Sequence, residues 1–281
     1  MVVTLNPDPT LADRIAGLAA QVGAVVLVDN GSEGPLAWLE LLAGTAGHLI
    51  RNRENLGIAT ALNQGLAWAA AHGFEWALLL DQDSEPCAHM VRSLGDAFDA
   101  YPERGRLAVI GSGFVDSRTL RAHGPGAGAV AECVSVITSG SLVAVKVWAR
   151  LGGFREDFFI DCVDHEYCLR ARRQGFAVAL AGEVLMRHTI GRATMHRVLS
   201  RTTGTSNHPA VRRYYMTRNL LVMAREYFTD EPRWMLGRLY AQAKSLCLLA
   251  AFERERRGKL RLVGLGAWHA LRGRLGKLGA P

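Results

Sequence analysis

The first 83 residues carry a pattern that few folds can satisfy. Four short apolar runs alternate with segments of helical length, and each run empties into polar residues. Val2–Leu5, Ala24–Val28, His48–Arg51 and Trp76–Leu80 read as strands, while Thr10–Gln21, Leu36–Leu42 and the Ala-rich Ile58–Ala71 read as helices. Unbroken apolar strands alternating with helices predict an α/β fold with a parallel sheet covered on both faces. In such sheets the functional crevice lies beyond the carboxyl ends of the strands. Asp29, Asn55, Asp81 and Asp83 all fall at or just after those ends.

From Leu107 the pattern shifts to shorter strands with Gly-rich breaks: Leu107–Gly111, the loop Gly124–Gly128, Val134–Ser139 and Leu142–Val145. A mixed sheet with a mobile loop is expected there. After Asn207 the signals are helical, over Val211–Phe228, Trp234–Phe252 and a basic segment running to Leu278, with Gly204–Pro209 as a hinge. The chain thus divides into an α/β domain over residues 1–205, which the resemblance described below makes the catalytic one, and a helical, basic extension over 206–281.

A chain of 281 residues, 49% hydrophobic, can bury one substantial core. Its net charge of +7 sits in the tail: residues 254–281 hold eight basic residues and one acid, leaving 25 of each sign in the body. A nucleic-acid binder would carry its positive surface on the folded domain, so nucleic acid is not the expected partner. The five cysteines include no CxxC pair and read as thiols in a reducing compartment. No apolar run reaches the roughly 18 residues that span a bilayer, and no signal peptide precedes Asn6, so a cytoplasmic location is expected. The first strand begins almost at Met1 and falls short of the usual five to six or so residues, which points to a start set late and bears on Thr4.

Several clusters have the makings of chemistry. Asp81-Gln82-Asp83 places two carboxylates on a turn leaving a buried strand, enough to hold a magnesium-class cation together with phosphate oxygens; capping of the next helix is the other reading. Asp29, in Val28-Asp29-Asn30-Gly31-Ser32, can accept hydrogen bonds from a ribose or base, or form an Asx turn with Gly31 at positive φ. Asn55 is a competent N-cap for the Ala-rich helix, whose N-terminus could face a diphosphate. Phe158–Arg170 sets Asp161, Asp164 and Glu166 beside an apolar run and opens a helix, where a carboxylate can act as general base or cap the helix. His188 follows a strand-like run and is either a structural residue or a metal ligand.

Taken in order, these segments resemble the family 2 glycosyltransferases of GT-A fold, in particular the bacterial rhamnosyltransferases. The resemblance runs through Val3–Asp8, Val28–Ser32, Asn55–Ala59, Asp81–Ser84, Phe159–Arg170, His188–Gly191 and Arg213–Asn219. It implies a Rossmann-like, mostly parallel central sheet with helices on both faces plus a C-terminal helical appendage. It further implies that Thr4, Asp29, Asn55 and Asp81 hold a nucleotide-diphosphate sugar, with dTDP-L-rhamnose the expected donor. Asp83 and His188 would bind Mg²⁺ or Mn²⁺, and Asp164 would be the single general base of an inverting transfer, with Asp161 and Glu166 as rival bases. A UDP- or GDP-sugar is the alternative donor.

The acceptor expected from the resemblance is a glycan or lipid-linked glycan of the cell surface. The tail, which mixes Leu, Val and Trp268 with basic residues, resembles an interfacial helix suited to the inner face of the membrane, although glycines at 258, 264, 266, 273 and 276 argue against one continuous helix. A non-catalytic membrane-surface or nucleic-acid binding protein is the reading from another class.

Overall fold

A computed structural model describes residues 1–34, 37–116, 122–124, 130–188, 194–198, 201–205 and 207–279. Contacts divide the chain into two units, Met1–Glu156 with Val163–Thr189, and Asp157–Cys162 with Ile190–Pro281.

The first unit opens with the predicted alternation: β1 (Val2–Thr4), α1 (Leu11–Ala19), β2 (Val25–Asp29), α2 (Ala37–Ala46), β3 (Gly47–Arg51), α3 (Ile58–Ala71) and β4 (Trp76–Asp81). Next come β5 (Glu85–Pro86), α4 (Met90–Ala100), β6 (Leu107–Asp116), β7 (Ala122–His123) and β8 (Ala131–Glu132). β9 (Ser141–Ala144), α5 (Val145–Leu151), α6 (Val163–Arg173) and β10 (Ala177–His188) complete it. The sheet order is β3-β2-β1-β4-β9-β6-β10-β5, with β7 paired to β6 and β8 to β10. β3, β2, β1 and β4 run parallel, whereas β9 is antiparallel to both its neighbours, so the second half of the sheet is mixed.

All five residues of β2 are buried because the sheet is covered on both faces. Val25 and Leu27 join the cluster of Leu11, Ile15 and Leu18 from α1, Leu39 from α2, and Met90 and Leu94 from α4. Val28 faces α3, where a Cβ on Gly65 would come within 3.4 Å of its Cγ2. Burial of this kind, at about 25 cal/mol per Å², holds the strands in register. That register sets Thr4 beside Asp29, Asp29 beside Arg51 and Val3 beside Asp81, so the polar strand ends form one rim.

Two expectations for the middle of the chain need correction. Val134–Ser139 is not a strand but irregular chain. Its polar groups are used singly: Thr138 N–H donates to Asp164, Ile137 O accepts from Ser141 Oγ, and Ser139 Oγ meets Ser84 Oγ. β6 does not stop at Gly111 but continues to Asp116. Gly111 and Gly113 are places of close approach within it, since a Cβ would meet Val136 Cγ1 and Glu183 O, each at 2.7 Å. Residues 125–128 of the expected loop lie outside the described residues.

The second unit holds the hairpin β11 (Thr194–Val198) and β12 (Arg201–Thr205), then α7 (Ala210–Tyr227), α8 (Pro232–Phe252) and α9 (Arg256–Leu271). Gly204 and Thr205 are strand residues of this hairpin. α9 is continuous despite Gly258, Gly264 and Gly266, contrary to the expectation from sequence. At Gly266 the reason is packing, for a Cβ there would lie 2.5 Å from Tyr214 O on α7. Gly273 and Gly276 fall after the helix, at positive φ.

This unit's interior is unusually ionic. Glu253 is fully buried and accepts from Arg213 Nη2 and Lys259 Nζ, each at 2.7 Å. Burial opposes the Glu253 charge, but Lys259 and Arg213 outweigh it and hold its carboxyl below the usual range. Burial, reinforced by Arg212 and Arg213, pushes His208 down to about 4. Lys259, one of the tail's basic residues, is therefore interior. No described helix is long and apolar enough to cross a membrane.

Candidate functional site

The rim of the parallel half is laced together by side chains. Asp29, 1% exposed, accepts from Thr4 Oγ1 at 3.3 Å, from Ser32 N–H at 3.3 Å and from Ser32 Oγ. Asn30 is equally committed: its Nδ2 donates to Asn55 Oδ1 (3.1 Å) and Gly57 O (3.2 Å), and its Oδ1 accepts from Leu56 N–H and Asn52 Nδ2 (both 3.1 Å). Gly31 between them has φ +88°, and a Cβ there would lie 2.3 Å from Glu54 C, so only glycine lets the β2 turn meet the Asn55 loop. Asn55 does not cap α3, whose N-cap is Gly57 at φ 89°. Its carboxamide instead accepts from Gly57 N–H at 2.9 Å.

The acidic turn is bound into the same rim. Gln82 accepts Leu5 N–H at 2.8 Å and donates to Leu5 O at 3.2 Å, which ties the end of β1 to Asp81 and Asp83. Asp81 is half-buried and Asp83 exposed. Behind the turn, Ser139 Oγ accepts Asp81 N–H at 3.2 Å and lies 2.5 Å from Ser84 Oγ. The next residue back, Thr138, donates its N–H to Asp164 Oδ2 at 3.3 Å. Consecutive Cα atoms are 3.8 Å apart, so Thr138–Ser139 binds the acidic turn with one residue and Asp164 with the other.

The three acids around α6 have different company. Glu166, 1% exposed, makes a two-point bond to Arg170, with Nε and Nη2 each at 2.9 Å. Arg170 also donates to Leu151 O and Gly153 O, so the pair braces the fold. Asp161 is paired with Arg212 at 3.1 Å. Among the described residues Asp164 accepts only from backbone N–H groups, of Thr138 and of His165 (2.8 Å), with His165 Nδ1 at 3.8 Å. Cys168, the nearby thiol, is pushed up to about 12 by burial and is no nucleophile.

Asp81 and Asp83 offer hard oxygen ligands of the kind that suit Mg²⁺ or Mn²⁺ when phosphate completes the shell. No three described His, Cys, Asp or Glu side chains cluster as a metal site by themselves. The backbone of His188 ends β10 opposite Asp116, and its side chain lies outside the described residues. A cavity of about 540 Å³ opens at the opposite end of the strands, lined by Met1, Trp68, Phe74, Trp76 and Phe98, and holds none of the candidate residues.

Sequence reasoning missed Asn30, Gln82, Thr138 and Ser139 as organisers of the rim. Asn30 and Gln82 lie inside motifs where the acids are the stronger signal. Thr138 and Ser139 lie in a segment whose composition is that of a strand.

An α/β sheet whose parallel strands deliver hydroxyl, amide and paired carboxylate groups to one rim is a framework that binds ligands beyond its strand ends. Residues 1–178 match the family model for glycosyl transferase family 2, and the chain belongs to that family as a glycosyltransferase. It is 29% identical over 253 residues to the dTDP-rhamnosyl transferase RfbF of Shigella flexneri, covering 80% of this chain and 79% of the relative. Among solved structures it resembles S. aureus TarS 1–349, with a TM-score of 0.65 at 14% identity over 97% of this chain and 80% of that one. It also resembles GalNAc-T7 with UDP, GalNAc and Mn²⁺, with a TM-score of 0.54 at 13% identity over 67% and 43% of the two chains. At such identities the structural likeness establishes the fold, which is GT-A.

Proposed function

We propose that the protein is an inverting rhamnosyltransferase that moves L-rhamnose from dTDP-L-rhamnose to a hydroxyl of a cell-surface glycan or lipid-linked glycan. The observation that carries the reading is the Thr138–Ser139 bridge, which binds Asp164 with one residue and the Asp81–Asp83 turn with the other. The identity to a dTDP-rhamnosyl transferase favours rhamnose over a UDP- or GDP-sugar.

In this reading Thr4, Asp29, Asn55 and Asp81 hold the base, ribose and diphosphate of the donor. Asp83, with His188 as a further ligand, would hold Mg²⁺ or Mn²⁺. A bound cation would offset the charge that develops on the departing diphosphate. Asp164 takes the proton of the acceptor hydroxyl; the oxygen attacks the anomeric carbon, and the nucleoside diphosphate leaves from the opposite face, inverting the centre. A base contributes about 10²–10⁴-fold, and alignment of the two substrates much of the remainder. Asp164 suits the task better than its neighbours, because Asp161 and Glu166 are engaged by arginines. Residues 206–281 form the helical extension, and the exposed Arg256, Arg257, Arg261 and Trp268 of α9 suit peripheral contact with an anionic membrane surface.

The test is turnover across a panel of nucleotide sugars with and without Mn²⁺ or Mg²⁺. The reading predicts metal-dependent release of dTDP from dTDP-L-rhamnose well above release from UDP- or GDP-sugars. Equal or faster use of a UDP-sugar would remove the rhamnose assignment.

A further inference from the structure

The block Arg213-Tyr214-Tyr215-Met216-Thr217-Arg218-Asn219 has no part in the chemistry above, yet Arg218 and Asn219 are both fully buried in α7. Their side chains are spent on backbone carbonyls. Arg218 Nη2 donates to Asp157 O and Phe158 O, both at 3.0 Å, and its Nη1 to Gly276 O at 2.6 Å. Asn219 Nδ2 reaches Phe158 O (2.9 Å), Ile160 O (2.8 Å) and Asp161 O (2.9 Å), while its Oδ1 accepts from Arg218 Nε. The aromatic pair closes the arrangement, since Arg218 lies 4.9 Å from the ring centre of Tyr215, on which Phe159 stacks at 5.1 Å.

The clasped segment needs such help. Phe159, Asp161 and Cys162 have φ of +64°, +65° and +64°, a region L residues avoid unless their surroundings impose it. A chain bent this way turns its carbonyls out of any regular ladder, and here Arg218 and Asn219 receive them. A second element reaches the same loop from the far end of the sequence. Gly276 N–H donates to Asp157 O at 2.7 Å, and Leu278 N–H donates to Tyr215 Oη at 2.7 Å. The segment after α9 is therefore a strap on the Asp157–Cys162 loop as well as part of a basic tail. The chain passes from Cys162 directly into α6, whose second residue is Asp164.

We propose that Arg218, Asn219 and the strap Gly276–Leu278 are positioning elements for glycosyl transfer: they fix the Asp157–Cys162 loop and so the entry of the chain into α6 and the aim of Asp164. This rests on the reading of Asp164 as base. It gives the tail a task on soluble substrates, independent of any membrane.

The test uses the full chain, a chain ending at Arg274, and the single variants Leu278→Pro, which removes the N–H given to Tyr215, and Lys244→Ala, which removes an exposed charge on α8 away from the strap. Hydrolysis of dTDP-L-rhamnose by water, or of whichever panel sugar the full chain turns over fastest, is measured without membranes. A misaimed base predicts kcat lowered about 10- to 100-fold in the shortened chain and in Leu278→Pro, with the donor KM within about twofold. Lys244→Ala should match the full chain. Should the shortened chain lose its fold by circular dichroism, Leu278→Pro alone decides. An unchanged kcat in folded Leu278→Pro, or a loss confined to Lys244→Ala, overturns the proposal. Asp164→Asn is run alongside: if it retains full turnover the base assignment fails, and a kcat loss in Leu278→Pro would then have to act through another group of the loop.

Discussion

Replacing Asp164 with Asn keeps the side chain's shape and removes its capacity to take a proton. Asp164 Oδ2 accepts Thr138 N–H at 3.3 Å and Oδ1 accepts His165 N–H at 2.8 Å. An asparagine keeps one acceptor and loses the other, a cost of about 1 kcal/mol in stability. The kinetic effect should be much larger: loss of general-base action is worth about 10²–10⁴-fold in kcat, or roughly 3–5 kcal/mol of barrier. The proposed donor contacts lie elsewhere on the rim, so donor KM should hold. The contrast is Glu166→Gln, which breaks a two-point bond to Arg170 at a residue 1% exposed, and should cost about 3 kcal/mol in folding stability. Steady-state release of nucleoside diphosphate, paired with thermal melts, separates the two. If Asp164→Asn lowers kcat less than about tenfold while remaining folded, the base lies elsewhere and the argument from its backbone-only company is wrong.

Other outcomes follow from the same geometry. Asp83→Ala should abolish metal-stimulated turnover while leaving the thermal melt close to that of the unaltered protein, since Asp83 is exposed; retention of metal-stimulated turnover would exclude it as a ligand. Gly31→Ala would place a methyl 2.3 Å from Glu54 C at φ +88°, and should cost more than the roughly 1–3 kcal/mol of a strained φ and weaken nucleotide binding by calorimetry. Glu253→Gln leaves Arg213 and Lys259 without their buried counter-charge and should destabilise the helical unit by about 3–5 kcal/mol in denaturant melts. Acid should act on the same unit: Glu253 is held below its unfolded value, so its contribution is lost as pH falls below about 4.5, and His208, at about 4 against 6.5 unfolded, withdraws stability as pH falls from 6.5 toward 4. His208→Gln should flatten the upper part of that melting-temperature profile.

Much of the parallel half of the sheet was legible because burial on both faces writes unbroken apolar runs, and β2 and β4 left little choice of period. The strand ends then placed Thr4, Asp29 and Asp81 on one rim by register alone. Reading failed where side chains compete with the ladder. Val134–Ser139 has β-like composition, but its polar groups go to Asp164, Asp81, Ser84 and Ser141, and the pairing with the first three, distant in sequence, has no local signature. The tail misled in another way. Its glycines look like interruptions, yet Gly266 is where α7 and α9 approach too closely for a side chain, and Lys259 is an interior partner of Glu253. The strap made by Gly276 and Leu278 uses backbone N–H groups, which every residue has and no motif records.

The central claim is that Asp83 and the strand-end rim hold a metal and nucleotide beside Asp164. Anomalous diffraction from crystals grown with Mn²⁺ and dTDP tests it most directly. The account predicts a manganese peak bonded to Asp83 carboxylate oxygen, with the nucleotide running along Thr4 and Asp29 and its diphosphate toward the metal. A manganese peak or nucleotide bound at another surface, with the Asp81–Asp83 turn unliganded, would contradict it.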